Sequence, residues 1–234
     1  RIGHRVQPSS EPEELLARSA LFADCSTNAR RIVAKAALAK VVRAGTAAVE
    51  QGVPWPYFGL VAFGSIKATV NTDTGRDYTL FEALATDIFG EVQGLDGGCT
   101  IARFVATDRD AKTYVIPRAS ILELADCDGR FAHRLANLAA QRARLLGELL
   151  YVRVTKPTIG RLSTILLSYE TRDDVRGNVL PSLASMTQVE LARLVGTVKD
   201  VIGRDLAVLR AVGAVALSGG HVIRVNERRL RNFL

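Results

Sequence analysis

Apolar residues recur along this chain with different periods, and each change of period marks a change of structure. From Glu13 to Leu38 two short stripes at helical spacing, Leu15, Leu16, Ala20 and Leu21, then Ile32, Val33, Ala36 and Ala37, predict two short amphipathic helices. Between Val41 and Ile116 the pattern becomes short β-branched and aromatic runs punctuated by glycine. Val41-Val42, Tyr57 to Phe63, Ile66 to Val70, Tyr78 to Ala83, Ile101 to Ala106 and Ala111 to Ile116 read as strands, with Asn71 to Gly75 as a turn. Strands at intervals of about 8 to 12 residues predict a small antiparallel barrel or sandwich.

From Ala119 the period is helical again, and Gly129 to Val152 predicts one long helix. It carries Phe131, Leu135, Leu138, Leu145, Leu149 and Val152 at heptad-like spacing, with Arg142 at the skipped position. Such a narrow stripe reads as a dimer seam in which the charge tunes register or partner choice; a helix packed on its own domain is the other reading. Thr155-Lys156-Pro157 then marks a boundary, because Pro suits the first turn of a new helix and disfavours continuing an old one. The expected organisation is a β-rich domain with flanking helices over 13–128, the long helix and hinge over 129–154, and a last domain over 155–234.

That last domain holds the most specific pattern. Thr187 with Glu190 three residues on forms a capping box that opens a helix. Leu191 and Leu194 point inward, and Gly196 supplies a tight turn. Val198 begins a second helix whose Val201, Ile202, Leu206 and Leu209 form a buried stripe, with Lys199, Asp200 and Arg204 standing off it. A second helix presented in this way offers its N-terminal end to the major groove, where Arg takes guanine O6/N7 and a carboxylate accepts from cytosine N4. Ala214 to Leu217 and His221 to Val225, around Ser218-Gly219-Gly220, form a hairpin wing.

Charge points the same way. Of the net +7, the 80 residues from Thr155 onward hold twelve Lys and Arg against seven Asp and Glu, which favours a polyanionic partner. Three widely spaced cysteines, Cys25, Cys99 and Cys127, fit neither a disulfide framework nor a CxxC zinc pattern, and Cys99 and Cys127 are expected to be small core residues. No apolar run approaches a membrane span. The start, Arg1 to Pro12, lacks an apolar signal segment, so a cytoplasmic protein is expected. No HExxH, GxSxG or Walker loop is present, and the Gly94 to Gly98 run lacks the Lys of a P-loop, so no enzyme is expected.

With these elements in place, the sequence resembles the bacterial transcription regulators related to the cyclic-AMP receptor protein and the fumarate-nitrate reduction regulator (Crp/Fnr). The resemblance is carried by Gln188-Val189-Glu190-Leu191-Ala192, Val195-Gly196 and Val201-Ile202-Gly203-Arg204, and by Phe89-Gly90-Glu91 preceded by Gly45, Gly52 and Val61-Ala62-Phe63-Gly64. It implies an α+β fold: an N-terminal cyclic-nucleotide-binding-type β-roll, a long dimerisation helix and a C-terminal winged helix-turn-helix. It implies a homodimer on a palindromic promoter site in double-stranded DNA, with RNA polymerase as a further partner and no membrane.

The family's base-reading triplet of Arg, Glu and Arg falls on Lys199, Asp200 and Arg204. Lys lacks the bidentate fork of Arg and Asp is one methylene shorter than Glu, so the half-site core is expected to be relaxed or altered. Phosphate contacts are assigned to backbone N–H groups near Thr187 and Thr197, with Arg193 and His221. In the family's effector pocket Gly90 and Glu91 are present. Thr100 and Ile101, however, stand where an Arg-Ser pair takes the phosphate, and Leu146 and Gly147 replace a Thr-Ser pair that contacts adenine. An uncharged site binds a cyclic phosphate poorly, so no cofactor is expected. An iron-sulfur cluster lacks its N-terminal cysteines, and haem lacks an axial donor beyond His4 or His133. The remaining reading is a ligand-binding or interaction module whose winged helix docks a protein partner.

Overall fold

The computed structural model describes residues 12–71, 77–107, 109–170, 183 and 186–234; the N-terminal segment with His4, most of the 71–75 turn and the polar stretch 171–178 lie outside them. Two compact units form, one from residues up to Val70 together with Phe81–Arg144, the other from Asn71–Leu80 with Leu145–Leu234.

The first unit opens with helices α1 (Pro12–Arg18) and α2 (Thr27–Ala36). Strands β1 (Leu38–Val42), β2 (Ala47–Val49), β3 (Tyr57–Phe63), β4 (Ile66–Asn71), β5 (Asp77–Ala83) and β6 (Ile88–Phe89) follow, then helix α3 (Glu91–Asp96), β7 (Arg103–Ala106) and β8 (Ala111–Pro117). They build two four-stranded sheets, ordered β1-β8-β3-β6 and β2-β7-β4-β5. Gly59 in the middle of β3 sits opposite Phe89, and a side chain there would overlap the Phe89 ring, so only glycine lets that ring cross the strand. This close approach sets the path of the chain into Gly90 and Glu91.

Helices α4 (Arg118–Cys127) and α5 (Gly129–Thr155) complete the order before the second unit's own helices. Phe131 and Leu135 of α5 enter the core with Leu15, Leu16, Phe22 and Phe58, and the Phe22 and Phe131 ring centroids stand 5.2 Å apart. Two expectations are corrected here. Ile32 is 57% exposed, leaving Val33 as the buried residue of α2, and Cys99 and Cys127 are exposed rather than core. Only Cys25 is buried, and burial pushes its thiol up.

In the second unit α6 (Thr158–Glu170), α7 (Gln188–Val195) and α8 (Lys199–Ala211) pack around Leu162, Leu166, Leu191, Val195, Ile202 and Leu206. Strands β9 (Val215–Ser218) and β10 (His221–Val225) pair antiparallel, and α9 (Glu227–Leu230) returns behind them. The chain is thus an α+β protein: a β-rich unit, a long helix and a winged helical unit.

Candidate nucleic-acid interface and effector pocket

Helix α7 starts where its capping box dictates. Thr187 Oγ1 accepts from Glu190 N at 3.2 Å, and the Glu190 carboxylate accepts from Thr187 N at 2.7 Å. The same geometry occupies the Thr187 N–H. Thr197 N is also taken, by Ala192 O at 2.9 Å, so the N–H groups of these two residues themselves bond within the chain. The available donors lie at the start of α8, whose N-cap, Val198, makes no side-chain capping bond. The positive end of that helix is therefore not neutralised by its own cap. An apolar residue at an N-cap is visible in the sequence, but it gains this meaning only once the helix start is known.

Lys199, Asp200, Arg204 and Arg193 are all exposed, while Ile202, Leu206 and Leu209 hold α8 to the core. The turn between α7 and α8 is braced from behind. Gly196 adopts φ 77°, which a residue with a side chain resists. Arg161 Nε donates to Val195 O at 3.1 Å, and the Arg153 guanidinium lies against Gly196 and 4.7 Å from the Tyr78 ring centroid. Burial pulls Arg153 below the usual guanidinium range. Next to Arg204, burial pushes the Asp205 carboxyl up while Arg204 and Arg161 draw it down. Because the folded value is the higher one, this carboxyl favours folding most at acid pH, and that contribution fades as pH rises through the raised value.

His221 has a structural partner. Its half-buried ring bonds through Nδ1 to Met186 O at 2.8 Å, and Gln188 Nε2 donates to Gly220 O at 3.3 Å. Together these bonds tie the wing turn to the start of α7, so His221 anchors the wing.

In the β-rich unit Gly90 adopts φ 74° and precedes Glu91, which is 1% exposed. Arg142 Nε bonds Glu91 Oε1 at 2.5 Å, and the guanidinium carbon sits 3.5 Å from the Phe81 ring centroid. Arg142 thus pairs with one carboxylate oxygen of Glu91, next to Gly90. Thr100 is turned away, its hydroxyl donating to Glu50 O at 2.6 Å and accepting from Val53 N at 3.2 Å. Ile101 is exposed, Leu146 half-buried, and a side chain on Gly147 would meet open space.

Of the predicted seam residues, the N-terminal ones face this unit's own core. Phe131 and Leu135 belong to the unit's own core and Leu138 packs on it, while Leu145, Leu149 and Val152 are half-buried. The bulky stripe of α5 is drawn inward because those side chains have the most apolar area to bury. An exposed stripe of small and apolar residues, Ala136, Ala140, Ala143, Gly147, Leu150 and Val154, runs along α5 at alternating steps of four and three.

Among the described residues no group of three or more His, Cys, Asp or Glu side chains gathers to hold a metal ion, and no helix is long and apolar enough to cross a membrane. Residues 39–128 match the cyclic nucleotide-binding domain family. The chain is 25% identical over 228 residues to the CRP-like cAMP-activated global transcriptional regulator of Mycobacterium tuberculosis, covering 93% of this chain and 97% of that protein. It is 26% identical over 172 residues to the cAMP-activated global transcriptional regulator Vfr of Pseudomonas aeruginosa, covering 70% and 78%. Its fold is similar to that of FixK2 from Bradyrhizobium japonicum, with a TM-score of 0.67 at 22% identity over 84% of this chain and 96% of that one.

Proposed function

We propose that this chain, similar over 93% of its length to a CRP-like transcriptional regulator, is a Crp/Fnr-type regulator: a homodimeric, sequence-specific DNA-binding protein that reads a palindromic site without cyclic AMP. The observation that carries the DNA reading is α8: Lys199, Asp200 and Arg204 exposed on a helix held by a buried stripe and begun without a side-chain cap. A rigid helix with free polar residues in its first turns is what the major groove admits. Symmetry comes from α5, whose small exposed stripe lets two helices approach closely at heptad spacing.

Independence from cyclic AMP is supported by the pocket. Glu91 already bonds Arg142, and Thr100 and Ile101 supply no cation for a phosphate. A cyclic phosphate entering there would lose water without a charge-assisted partner.

Replacing Arg204 by Ala tests the reader helix. Affinity for the preferred duplex is expected to fall about tenfold to a hundredfold, with preference relaxed at one base pair. Equal weakening on all duplexes would make Arg204 a phosphate contact instead.

A further inference from the structure

A groove opens on the first unit between α2, α4 and the first turn of α5. Its cavity of about 760 Å³ falls in the range of small-molecule sites. Ala29, Ile32, Val33 and Leu124 give it an apolar wall. Val33 belongs to the core of the unit, whereas Ile32 beside it stays exposed. Helix α2 thus buries one residue of its stripe and leaves the next one lining the groove.

The polar groups of the lining divide into committed and free ones. Ser26 Oγ accepts from Ala29 N at 3.1 Å and caps α2. Asp128 Oδ1 accepts from Arg130 N at 2.9 Å and from Phe131 N at 3.1 Å at the start of α5. The Glu123 carboxylate and the Arg130 guanidinium line the same groove and make no hydrogen bond or ion pair among the described residues. Two unpaired charges of opposite sign beside one apolar wall match a molecule with an ammonium for Glu123, a carboxylate for Arg130 and hydrocarbon between them. A simple anion or cation would answer one of these charges and leave the wall uncovered, and a nucleic-acid backbone would meet Glu123 with like charge.

We propose that this groove binds a small zwitterion with an apolar body, a free apolar amino acid or a dipeptide of such residues. Glu123 accepts from its ammonium group, Arg130 donates to its carboxylate, and its side chains cover Ile32 and Leu124. Burial of that apolar surface supplies the affinity that exposed ion pairs alone do not. The binding itself is independent of the DNA-binding reading. Only an effect of the occupant on α5 as a dimer helix, through the first turn that lines the groove, rests on it.

Cys127 lines this groove and is exposed, while Cys99 is exposed outside it, so the chain carries both a probe and a control. The full chain is labelled with N-ethylmaleimide in the presence of L-leucine, L-phenylalanine or L-leucyl-L-leucine, and each cysteine is read by peptide mass spectrometry. N-acetyl-leucyl-leucine, which lacks the ammonium, and leucyl-leucine amide, which lacks the carboxylate, serve for comparison. At least one of the three zwitterions is expected to slow labelling of Cys127 about fivefold or more at saturation, with Cys99 unchanged. The amino-acid and dipeptide arms tell the two sources apart. Glu123→Gln and Arg130→Gln, both at exposed positions, are each expected to weaken protection about tenfold without shifting the melting temperature. Absence of protection by all three zwitterions overturns the proposal, as does equal protection by the two capped dipeptides, equal slowing at Cys99, or protection that either variant leaves unchanged. None of these outcomes alters duplex selection, so failure here and failure of the DNA reading are told apart.

Discussion

Arg142→Ala is expected to destabilise the N-terminal unit by about 3 kcal/mol or more. Only 14% of the Arg142 side chain and 2% of the Glu91 side chain are exposed, so the ion pair is buried. Removing the cation leaves a carboxylate enclosed with neither oxygen paired and strips the Phe81 ring of its stacked guanidinium. The midpoint of thermal unfolding, followed by Trp55 emission from the same unit, is expected to drop by about 6 to 12 °C. The double variant Glu91→Leu with Arg142→Leu replaces the pair by apolar groups and is expected to recover most of the loss. A double variant as damaged as the sum of its parts would show that the two side chains act independently.

The second large effect lies on the outward stripe of α5. Leu150 is 63% exposed and Val154 75%, and with the alanines and Gly147 they form an exposed stripe of small and apolar residues beside the polar exposed face of that helix. In the proposed dimer, Leu150→Glu would place like charges opposite each other across the two-fold axis and remove apolar contact on both sides. Sedimentation is expected to report a 25.3 kDa monomer instead of a dimer. Affinity for a palindromic duplex is expected to fall about a hundredfold, because the second half-site then binds as a separate molecule. A variant that stays dimeric would move the interface off this stripe.

The contrast between the two stripes of α5 shows what was legible in the sequence. That a long helix runs from Gly129 was readable from period alone. Which face its own unit buries was not, because Phe131, Leu135 and Leu138 have the spacing of a seam and also the bulk that a core draws inward. Periodicity reports that a face is apolar and leaves open what covers it. The helix-turn-helix was read almost residue by residue, since Thr187, Glu190 and Gly196 act through their own backbone within a few positions. The bonds of His221 and Thr100 were not legible because their partners, Met186, Glu50 and Val53, lie 35 to 50 residues away. The groove that holds Glu123 and Arg130 left no sequence signal, as it exists only where α2 meets the junction of α4 and α5.

In the proposed function this chain reads a symmetric DNA site through α8 with no cyclic nucleotide. Selection of preferred duplexes from a randomised pool by the purified full chain, with no small molecule added, tests it most directly. Enrichment of a palindrome is predicted, with half-sites about one helical turn apart and a guanine at the position that Arg204→Ala relaxes. No enrichment without cyclic AMP, or enrichment of a site without two-fold symmetry, would contradict the account.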